Sequence, residues 1–327
     1  MEYIKFNKTD LKISPICLGT VNYDTLLSKG ESKRQLSQFV DMGGNFIDSA
    51  HIYGDWEPPV LCRSEKTVGE WIKETGKRDK IVISTKGSHP DWNHMDIPRV
   101  WPKDIRKDLD ESLDFLNTDY IDLYFLHRDD PNVPVEQIID CLDEAVKAGK
   151  IRYYGCSNWK LSRVMEAQAY ASKKGSVGFV SNQLMWSLAD INFNNLPDKT
   201  FILMDKETHN YHSESGMNVM AYMSIAKAYF TRRFAGENLP ESVTSIYESP
   251  SNDKIYKTAI EAVKSGDYSF IDLSFMYIMA ESNFSAVPIA SFDTPEQLVS
   301  GLASWDKNKP RKLLEDLGGY KKFIYNK

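Results

Sequence analysis

Residues 81–127 contain two apolar runs, and each run ends in an ionisable side chain. Residues 81–86 have the sequence IVISTK, and residues 121–127 have the sequence IDLYFLH. Between them, residues 103–116 follow Pro102 and carry apolar side chains at helical spacing. A strand, a helix and a second strand in this order favour a parallel βαβ unit, since parallel strands need a long crossover connection.

The same alternation extends along most of the chain. Further strands are predicted at residues 16–18, 45–47, 153–155, 179–182, 219–221 and 286–289, beside 81–84 and 121–126. Helices are predicted at residues 31–42, 64–74, 103–116, 134–148, 160–174, 255–264, 271–279 and 295–303. Eight strands alternating with eight helices indicate an α/β fold, a (β/α)8 TIM barrel. We expect one domain over residues 1–327, opened by a β-hairpin at 3–6 and 11–13, with residues 190–217 and 229–252 as extended loops at the C-terminal face.

Composition excludes several classes of protein. The chain has 327 residues, of which 42% are hydrophobic and 26% charged, and its net charge is −6. These values are ordinary for a globular protein and argue against a collagen, a disordered chain or a nucleic-acid-binding protein. No apolar stretch is long enough to cross a membrane, and the N-terminal residues lack the apolar core of a signal peptide. We therefore expect a cytoplasmic protein whose cysteines, at positions 17, 62, 141 and 156, are reduced and buried.

Ionisable or polar side chains follow six of the predicted strands. Asp48, Lys86 and His127 end three consecutive strands, and the later strands end at Ser157 with Asn158, at Gln183 and before Tyr222. Taken singly, the first three have ordinary explanations as a helix cap, a solvated strand end and a core histidine. Because the C-terminal ends of the strands of a parallel barrel share one rim, their joint occurrence predicts an active site there.

These residues occur within longer motifs. Residues 46–54 (FIDSAHIYG), 85–87 (TKG), 126–128 (LHR), 155–159 (GCSNW) and 182–183 (NQ) together resemble the aldo-keto reductase family. The resemblance extends from Ile13 to about Leu302. It implies the barrel fold and a catalytic tetrad of Asp48, Tyr53, Lys86 and His127.

The chemistry of such a tetrad can be derived from its side chains. A hydride delivered to a carbonyl leaves an oxyanion that must receive a proton. A tyrosine has an ordinary pKa of about 10, and a nearby lysine cation favours the tyrosinate and lowers that pKa. Asp48 would hold Lys86 in place, and His127 would orient the carbonyl oxygen. Tyr53 is then the general acid in reduction and the base in oxidation.

Hydride has to come from a cofactor, and the chain contains no G-x-G-x-x-G sequence for a Rossmann site. The resemblance implies NADP(H) or NAD(H), bound in an extended site on the barrel rim. Asp48 borders this site, and Ser157, Asn158 and Gln183 would bond the carboxamide while Tyr222 stacks on the nicotinamide. The pyrophosphate loop would contain Met223, Ser224, Ala226 and Lys227, although Met223, Ser224 and Ala228 replace the family's usual Ser, Pro and Gly. Thr20 and Val21 would also line the cofactor.

The segment after the last strand departs most from the family pattern. There the family has a glycine and then a basic residue that binds the 2′-phosphate of NADP. This chain has Ser291 and Asp293, followed by Gln297, and all three are candidate cofactor residues. An acidic side chain repels a phosphate but can accept a hydrogen bond from a ribose hydroxyl. We therefore expect NADH to be used at least as well as NADPH. Two alternatives would permit NADPH instead: Asp293 is wrongly aligned with the basic residue, or Lys227 contacts the 2′-phosphate.

The rim loops suggest the substrate class. His51, Trp56, His127 and Arg128 are the candidate substrate residues, with other ring and basic side chains at positions 89, 92, 101, 186, 229 and 230. Flat rings interleaved with polar groups suit a sugar or a polyol, and equally an aromatic aldehyde. His209 and His212 lie at i, i+3 spacing without a third ligand, so we predict a solvated helix face and no metal site.

Three functions remain open at this point. The first is an oxidoreductase acting on a small carbonyl or sugar substrate. The second is a non-catalytic subunit that senses the nucleotide, as the potassium-channel β subunits of the family are thought to do. The third is a lyase that forms a Schiff base on Lys86, disfavoured because a lysine beside Asp48 should be charged. We expect neither nucleic-acid nor membrane partners, and the oligomeric state stays open.

Overall fold

Eight parallel strands form a closed barrel in the computed structural model, which describes residues 2–319. The strand order around the barrel is β10-β3-β4-β5-β6-β7-β8-β9. Their bounds are β3 Cys17–Gly19, β4 Phe46–Asp48, β5 Val82–Gly87, β6 Ile121–Leu126, β7 Ile151–Ser157, β8 Phe179–Met185, β9 Asn218–Tyr222 and β10 Ala286–Ala290. The predicted TIM barrel is confirmed. The prediction of a single domain includes Met1 and residues 320–327, which lie outside the described residues, and it stays a prediction.

The register of the strands places their polar ends on one rim. Asp48 pairs with Ser84 across β4 and β5, and Lys86 pairs with Phe125 across β5 and β6. Strands β5, β6 and β8 are buried along their whole length. A parallel strand covered by helices outside and side chains inside must be apolar on both faces, which explains the near-continuous apolar runs in the sequence.

The N-terminal hairpin closes the opposite end of the barrel. Strands β1 (Ile4–Lys5) and β2 (Lys12–Ile13) pair antiparallel. Phe6 and Leu11 are buried with the interior side chains of the barrel strands, among them Phe46. The hairpin therefore seals the N-terminal end and leaves only the C-terminal rim open to a ligand.

Helices cover the outside of the barrel. Within residues 2–319 their bounds are α1 Lys29–Asp41, α2 Arg63–Thr75, α3 Pro102–Phe115, α4 Val135–Lys147, α5 Leu161–Lys174, α6 Lys206–Ser215, α7 Tyr229–Phe234, α8 Glu241–Tyr247, α9 Pro250–Lys264, α10 Phe270–Met279, α11 Pro295–Leu302 and α12 Arg311–Gly318. Helix α1 begins with a capping box, in which Ser28 accepts from the Glu31 amide and the Glu31 side chain accepts from the Ser28 amide. All eight predicted helices are present.

The two stretches predicted as extended loops contain helices, so that part of the prediction was wrong. Residues 190–217 contain α6, which begins after Asp205, whose side chain accepts from the Thr208 amide, and ends before Gly216. Residues 229–252 contain α7 and α8, and α9 begins at Pro250, earlier than predicted. Helices α6, α7 and α8 are short, so their apolar periodicity is weak, and only α6 has cap residues, Asp205 and Gly216, that signalled a helix.

The prediction of a solvated helix face for His209 and His212 was also wrong. His212 is fully buried, and its Nδ1 lies 2.9 Å from the Met217 carbonyl oxygen. The Nε2 atom of His209 lies 2.7 Å from Glu281 Oε2. Helix α6 therefore packs against its neighbours through this face.

The four cysteines are free and buried, as predicted. Among the helices between residues 2 and 319, none combines the length and the apolar character that a membrane crossing requires. The cytoplasmic location stays a prediction.

Candidate active site

The four tetrad candidates come together at the C-terminal rim. Asp48 ends β4, Lys86 lies near the end of β5, His127 follows β6, and Tyr53 lies in the loop that follows β4. The Nζ atom of Lys86 lies 2.7 Å from Asp48 Oδ2 and 3.1 Å from Tyr53 Oη. The ring centroids of Tyr53 and His127 are 6.0 Å apart. A cation, a phenol and an imidazole therefore face one small volume.

The Asp48–Lys86 pair is fully buried and fully bonded. Asp48 Oδ1 accepts from Ser84 Oγ at 2.7 Å and from Gln183 Nε2 at 3.0 Å, and Lys86 Nζ also donates to the Ser49 carbonyl at 2.5 Å. Burial is the largest single effect and acts to lower the pKa of Lys86, but the charge of Asp48, the neighbouring Tyr53 and the hydrogen bonds to both together outweigh it, so the pKa is raised. Lys86 is thus a permanent cation beside Tyr53 and a poor amine nucleophile, which argues against the lyase alternative.

The tyrosine differs from the expectation in one respect. Burial raises the pKa of Tyr53, and the Lys86 charge opposes this increase without reversing it. The sequence suggested a lowered pKa because it showed the lysine but not the depth of the phenol. Tyr53 is therefore a protonated phenol at neutral pH, the form that a proton donor requires.

His127 is a neutral imidazole. Burial lowers the pKa of His127 well below its ordinary value, and the neighbouring His89 and the Arg128 charge add to this effect. Its Nδ1 atom is buried and has no hydrogen-bond partner in the described residues. A hydrogen on Nδ1 would lack an acceptor, so the neutral ring carries its proton on Nε2. That atom is left to donate a hydrogen bond.

The predicted nicotinamide residues surround the same rim. Asn158 Nδ2 donates to Ser157 Oγ at 3.1 Å, and Asn158 Oδ1 accepts from Tyr222 Oη at 2.7 Å. Gln183 donates its Nε2 to Asp48, which leaves its Oε1 to accept. Tyr222 is partly exposed, and its ring lies beside Phe201 with centroids 5.8 Å apart. An acceptor amide, a hydroxyl and an accessible ring fit a planar carboxamide-bearing heterocycle.

The loop after β9 has an unusual backbone. Met223 and then Ala226, Lys227 and Ala228 have φ values of 54°, 51°, 52° and 56°. Ile225 has φ −102° and ψ 10° and precedes the left-handed Ala226, but the Ala226 and Ala228 amides already donate to the Met223 and Ile225 carbonyls, each at 2.8 Å. Lys227 is exposed, whereas Ser224 is buried and donates its Oγ to the Ile289 carbonyl at 2.6 Å. The loop therefore fits a pyrophosphate through the exposed Lys227 rather than through the serine hydroxyl.

The loops after β3 and β10 meet each other on the rim. Asn22 Nδ2 donates to Asp293 Oδ1 at 2.9 Å, and the Asp293 amide donates to Gln297 Oε1 at 2.9 Å. Ser291 Oγ donates to the Gly19 carbonyl at 3.0 Å. Asp293 is exposed and contacts an amide, not a cation. An acidic group thus stands at this edge.

The two residues after β3 differ in accessibility. The Thr20 hydroxyl is buried, 3.0 Å from the Asp48 carbonyl and 2.6 Å from Ser64 Oγ. Val21 is partly exposed. Of this pair, only Val21 presents a side chain to the rim.

The substrate candidates separate into two groups. Trp56 lies near Tyr53 and Trp92, with ring centroids 6.5 Å and 5.6 Å away. Arg128 is next to His127 and is held by Asp198 at 3.0 Å. His51 instead pairs its Nε2 with Glu111 Oε2, 2.9 Å away, and both side chains line a cavity between α2 and α3.

Three other ring residues of the predicted rim are buried in the core. Trp186 packs against Tyr277 and Phe284, and Tyr229 and Phe230 belong to the main apolar cluster. Their predicted place on the rim was wrong, because an aromatic residue in a loop can equally pack inward.

One cluster has the composition of a metal site. Candidate ligand atoms of His51, Asp108 and Glu111 lie within 4.8 Å of one another. However, Asp108 is already paired with Arg99 at 2.5 Å, and His51 is paired with Glu111. The three side chains thus have partners within the protein. The absence of a metal site stays a prediction.

Sequence reasoning did not identify every residue around the tetrad. His89 lies against His127, with ring centroids 4.7 Å apart, and Asp198 holds Arg128. His89 was predicted only as one of the ring and basic side chains of the rim loops, without a role beside His127. Asp198 lies far along the chain, and no local pattern connects it to Arg128.

Comparison with known proteins agrees with this geometry. The sequence model of the Aldo/keto reductase family matches residues 15–317, so the chain belongs to the aldo/keto reductase family.

The similar proteins include an uncharacterized oxidoreductase, YrpG, of Bacillus subtilis, which is 33% identical over 58% of this chain and 59% of its own length. Norsolorinic acid reductase B of Dothistroma septosporum is 28% identical over 75% of this chain and 65% of its own length. A probable voltage-gated potassium channel subunit beta of Oryza sativa subsp. japonica is 26% identical over 77% of this chain and 72% of its own length. The chain thus spans less than two thirds of the length of the first two relatives.

Proposed function

We propose that the chain is an NAD(P)(H)-dependent oxidoreductase that transfers hydride between a nicotinamide and a carbonyl or alcohol carbon. Its substrate would be an aldehyde, a ketone, or a sugar or polyol. The observation that carries the proposal is the Lys86 ammonium, buried on Asp48 and 3.1 Å from Tyr53 Oη. A buried cation next to a phenol serves to hold the phenolate that proton donation leaves behind.

The tetrad side chains have separate roles in reduction. The His127 Nε2–H donates a hydrogen bond to the carbonyl oxygen and orients it toward Tyr53. The Tyr53 hydroxyl donates its proton to that oxygen as negative charge develops there. Lys86 stabilises the resulting tyrosinate, and Asp48 holds Lys86 in position through the 2.7 Å contact. Oxidation of an alcohol runs through the same groups in reverse.

The cofactor would lie along the rim from Asp293 to Asp48. A bound nicotinamide supplies or accepts the hydride. Ser157 Oγ, Asn158 Nδ2 and Gln183 Oε1 would hold its carboxamide, and Tyr222 would contact its ring. Lys227, exposed on the left-handed loop after β9, would contact the pyrophosphate.

We expect replacement of the proton donor to separate catalysis from binding. Tyr53→Phe removes the hydroxyl and keeps the ring, so kcat should fall by about 10²–10⁴-fold, the usual contribution of general acid catalysis. Fluorescence titration should show unchanged affinity for the nicotinamide cofactor, because the residues proposed to hold it are intact. A near-normal kcat in this variant would refute the role of Tyr53.

Cofactor choice depends on Asp293 in this proposal. The carboxylate contacts Asn22 and no cation, so it should repel a 2′-phosphate and accept from a ribose hydroxyl. We expect kcat/KM with NADH to equal or exceed that with NADPH. Asp293→Asn, which keeps an acceptor for Asn22, should increase the relative use of NADPH. A strong NADPH preference of the unmodified enzyme would contradict this expectation.

The second candidate is a nucleotide-binding subunit without turnover. The similarity to a protein named as a probable potassium channel subunit beta favours it. Tight binding of NADH or NADPH, together with no turnover on a broad panel of aldehydes, ketones and sugars, would support this alternative. Binding of neither cofactor would contradict both candidates.

A further inference from the structure

A cavity of about 570 Å³ lies beside the tetrad. It is enclosed by α2, α3 and the loops that follow β4 and β5. Its volume is within the range of sites that bind small molecules. His89 lines this cavity, and the same ring lies edge-on against His127, with centroids 4.7 Å apart. A group bound in the cavity would thus lie one side chain away from the carbonyl-orienting imidazole.

The two loops are joined at the boundary between the cavity and the tetrad. Trp56 and Trp92 pack with ring centroids 5.6 Å apart, and Trp56 also packs near Tyr53. The residues that precede them, Asp55 and Asp91, line the cavity. The tryptophan pair therefore keeps the two carboxylates together on one wall.

His89 presents a hydrogen-bond acceptor. Its Nδ1 lies 2.7 Å from the Pro90 carbonyl oxygen, which can only accept, so the hydrogen is on Nδ1. Burial lowers the pKa of His89 to about 4, with a contribution from the Arg128 charge, so the ring is neutral at pH 7. Within residues 2–319, Nε2 has no hydrogen-bond partner, and it is not sealed from solvent as His127 Nδ1 is. Its lone pair is therefore available.

The other polar groups of the cavity also accept. Asp55 uses Oδ1 to accept from the Cys62 amide at 2.6 Å, which leaves Oδ2. Asp91 has only a 3.7 Å contact with Arg99. The lining of the cavity also includes the apolar side chains of Ile52, Leu61 and Phe115.

The cations at the cavity already have partners. Lys66 donates to the Leu61 carbonyl at 2.8 Å, Arg99 binds Asp108 through both terminal nitrogens, and Lys107 lies 3.8 Å from Glu111. A ligand that donates hydrogen bonds would find the free acceptors His89 Nε2 and Asp55 Oδ2, whereas Lys66 and Arg99 already donate within the protein. A ligand with hydroxyl groups and C–H faces therefore matches both the polar and the apolar side chains of the lining.

We propose that this cavity is the subsite for the hydroxyl-bearing part of the carbonyl substrate, and that His89 Nε2 accepts a hydrogen bond from a hydroxyl group close to the reacting carbon. The inference rests on the proposed function and selects hydroxylated carbonyl compounds among its candidate substrates. His89 is then a specificity-determining residue, since a buried acceptor without a donor discriminates against the substrate that lacks the hydroxyl.

The test compares glyceraldehyde with propanal, which has the same carbon chain without hydroxyls. In the intact enzyme, with whichever cofactor it uses, kcat/KM should be higher for glyceraldehyde. His89→Leu should reduce the ratio of kcat/KM for glyceraldehyde to kcat/KM for propanal about tenfold. His89→Gln restores an acceptor and should recover part of the difference. His94→Leu, on the exposed part of the same loop, is the matched control.

The outcomes are distinguishable. An equal loss for both substrates in His89→Leu, not recovered by glutamine, would mean that His89 only supports His127, and would overturn the inference. If neither substrate is reduced with NADH or NADPH, the proposed function fails on its own. The subsite is then tested by tryptophan fluorescence with xylitol as the probe. Saturable binding weakened about tenfold in His89→Leu would support it, and absence of saturable binding to the intact protein would overturn it.

Discussion

At the scale of single residues, the loop after β9 holds an alanine in a backbone conformation that favours glycine. Ala228 stands where the family pattern has glycine, and its φ is 56°. A Cβ in the left-handed region costs roughly 1–2 kcal/mol because it crowds the following carbonyl oxygen. The chain keeps the left-handed loop in spite of this cost, because Ala226 and Tyr229 anchor it in the core.

We expect Ala228→Gly to stabilise the protein. Relief of the Cβ contact exceeds the extra entropy of glycine in the unfolded chain, so the free energy of unfolding should rise by about 0.5–1 kcal/mol. Urea denaturation measures this change in the free energy of unfolding. Ala235→Gly is the control, since Ala235 has φ −71° and gains nothing from glycine. A lower free energy of unfolding for Ala228→Gly would show that the left-handed backbone is not strained.

At the scale of elements, the N-terminal hairpin has a structural role that is separate from the site. Phe6 is fully buried in the barrel interior and packs against Phe46, with ring centroids 6.0 Å apart. The Asn7 amide donates to Asn218 Oδ1 at 2.8 Å, which attaches the hairpin turn to the start of β9. The tetrad lies at the other end of the same strands.

We therefore expect Phe6→Ala to affect stability without affecting the site. Loss of a buried phenylalanine costs about 3–5 kcal/mol through lost burial and the remaining cavity. Urea denaturation should show this loss, and fluorescence titration should show a cofactor affinity within about twofold of the unmodified protein. Lys12→Ala, an exposed position on the same hairpin, is the control. A large change in cofactor affinity would mean that the two ends of the barrel are coupled.

At the scale of the whole molecule, buried histidines make stability depend on pH. Burial lowers the pKa of His212 to about 4, with a smaller effect of His209, and His89 has a pKa of about 4 for the same first cause. An unfolded histidine has a pKa of about 6.5. Between these values the unfolded chain binds more protons than the folded one. The contribution of these neutral, buried histidines to the free energy of unfolding is complete above pH 6.5 and is lost as the pH falls toward 4.

We expect this loss to be measurable for one histidine at a time. From pH 7 to pH 5, each of these histidines should remove about 2 kcal/mol from the free energy of unfolding. His212→Asn keeps a polar side chain that does not titrate, so its loss over this interval should be smaller by about that amount. His94→Asn, at an exposed position, should behave like the unmodified protein. Identical pH profiles for all three proteins would refute a buried neutral His212.

Much of the barrel and the tetrad could be predicted from the sequence. Strands β5 and β6 are buried along their whole length, Lys86 lies near the end of β5 and His127 follows β6, so strand pattern and chain order are enough to place those side chains on one rim. Helices α6 to α8 were missed because short helices have little periodicity. The Asp293 segment was recognised as unusual, but only its contact with Asn22 shows which loop it faces.

The sequence by itself determined the parallel barrel, the rim on which the ionisable groups stand, and the order of Asp48, Lys86 and His127 around it. These follow from local periodicity and from the rule that parallel strands end on the same side. Only the tertiary structure decided which groups are buried, paired or neutral. The raised pKa of Tyr53, the buried His212 and the cavity beside His89 depend on side chains that are distant in the chain. Desolvation is a property of the packed environment, which no local segment of sequence specifies.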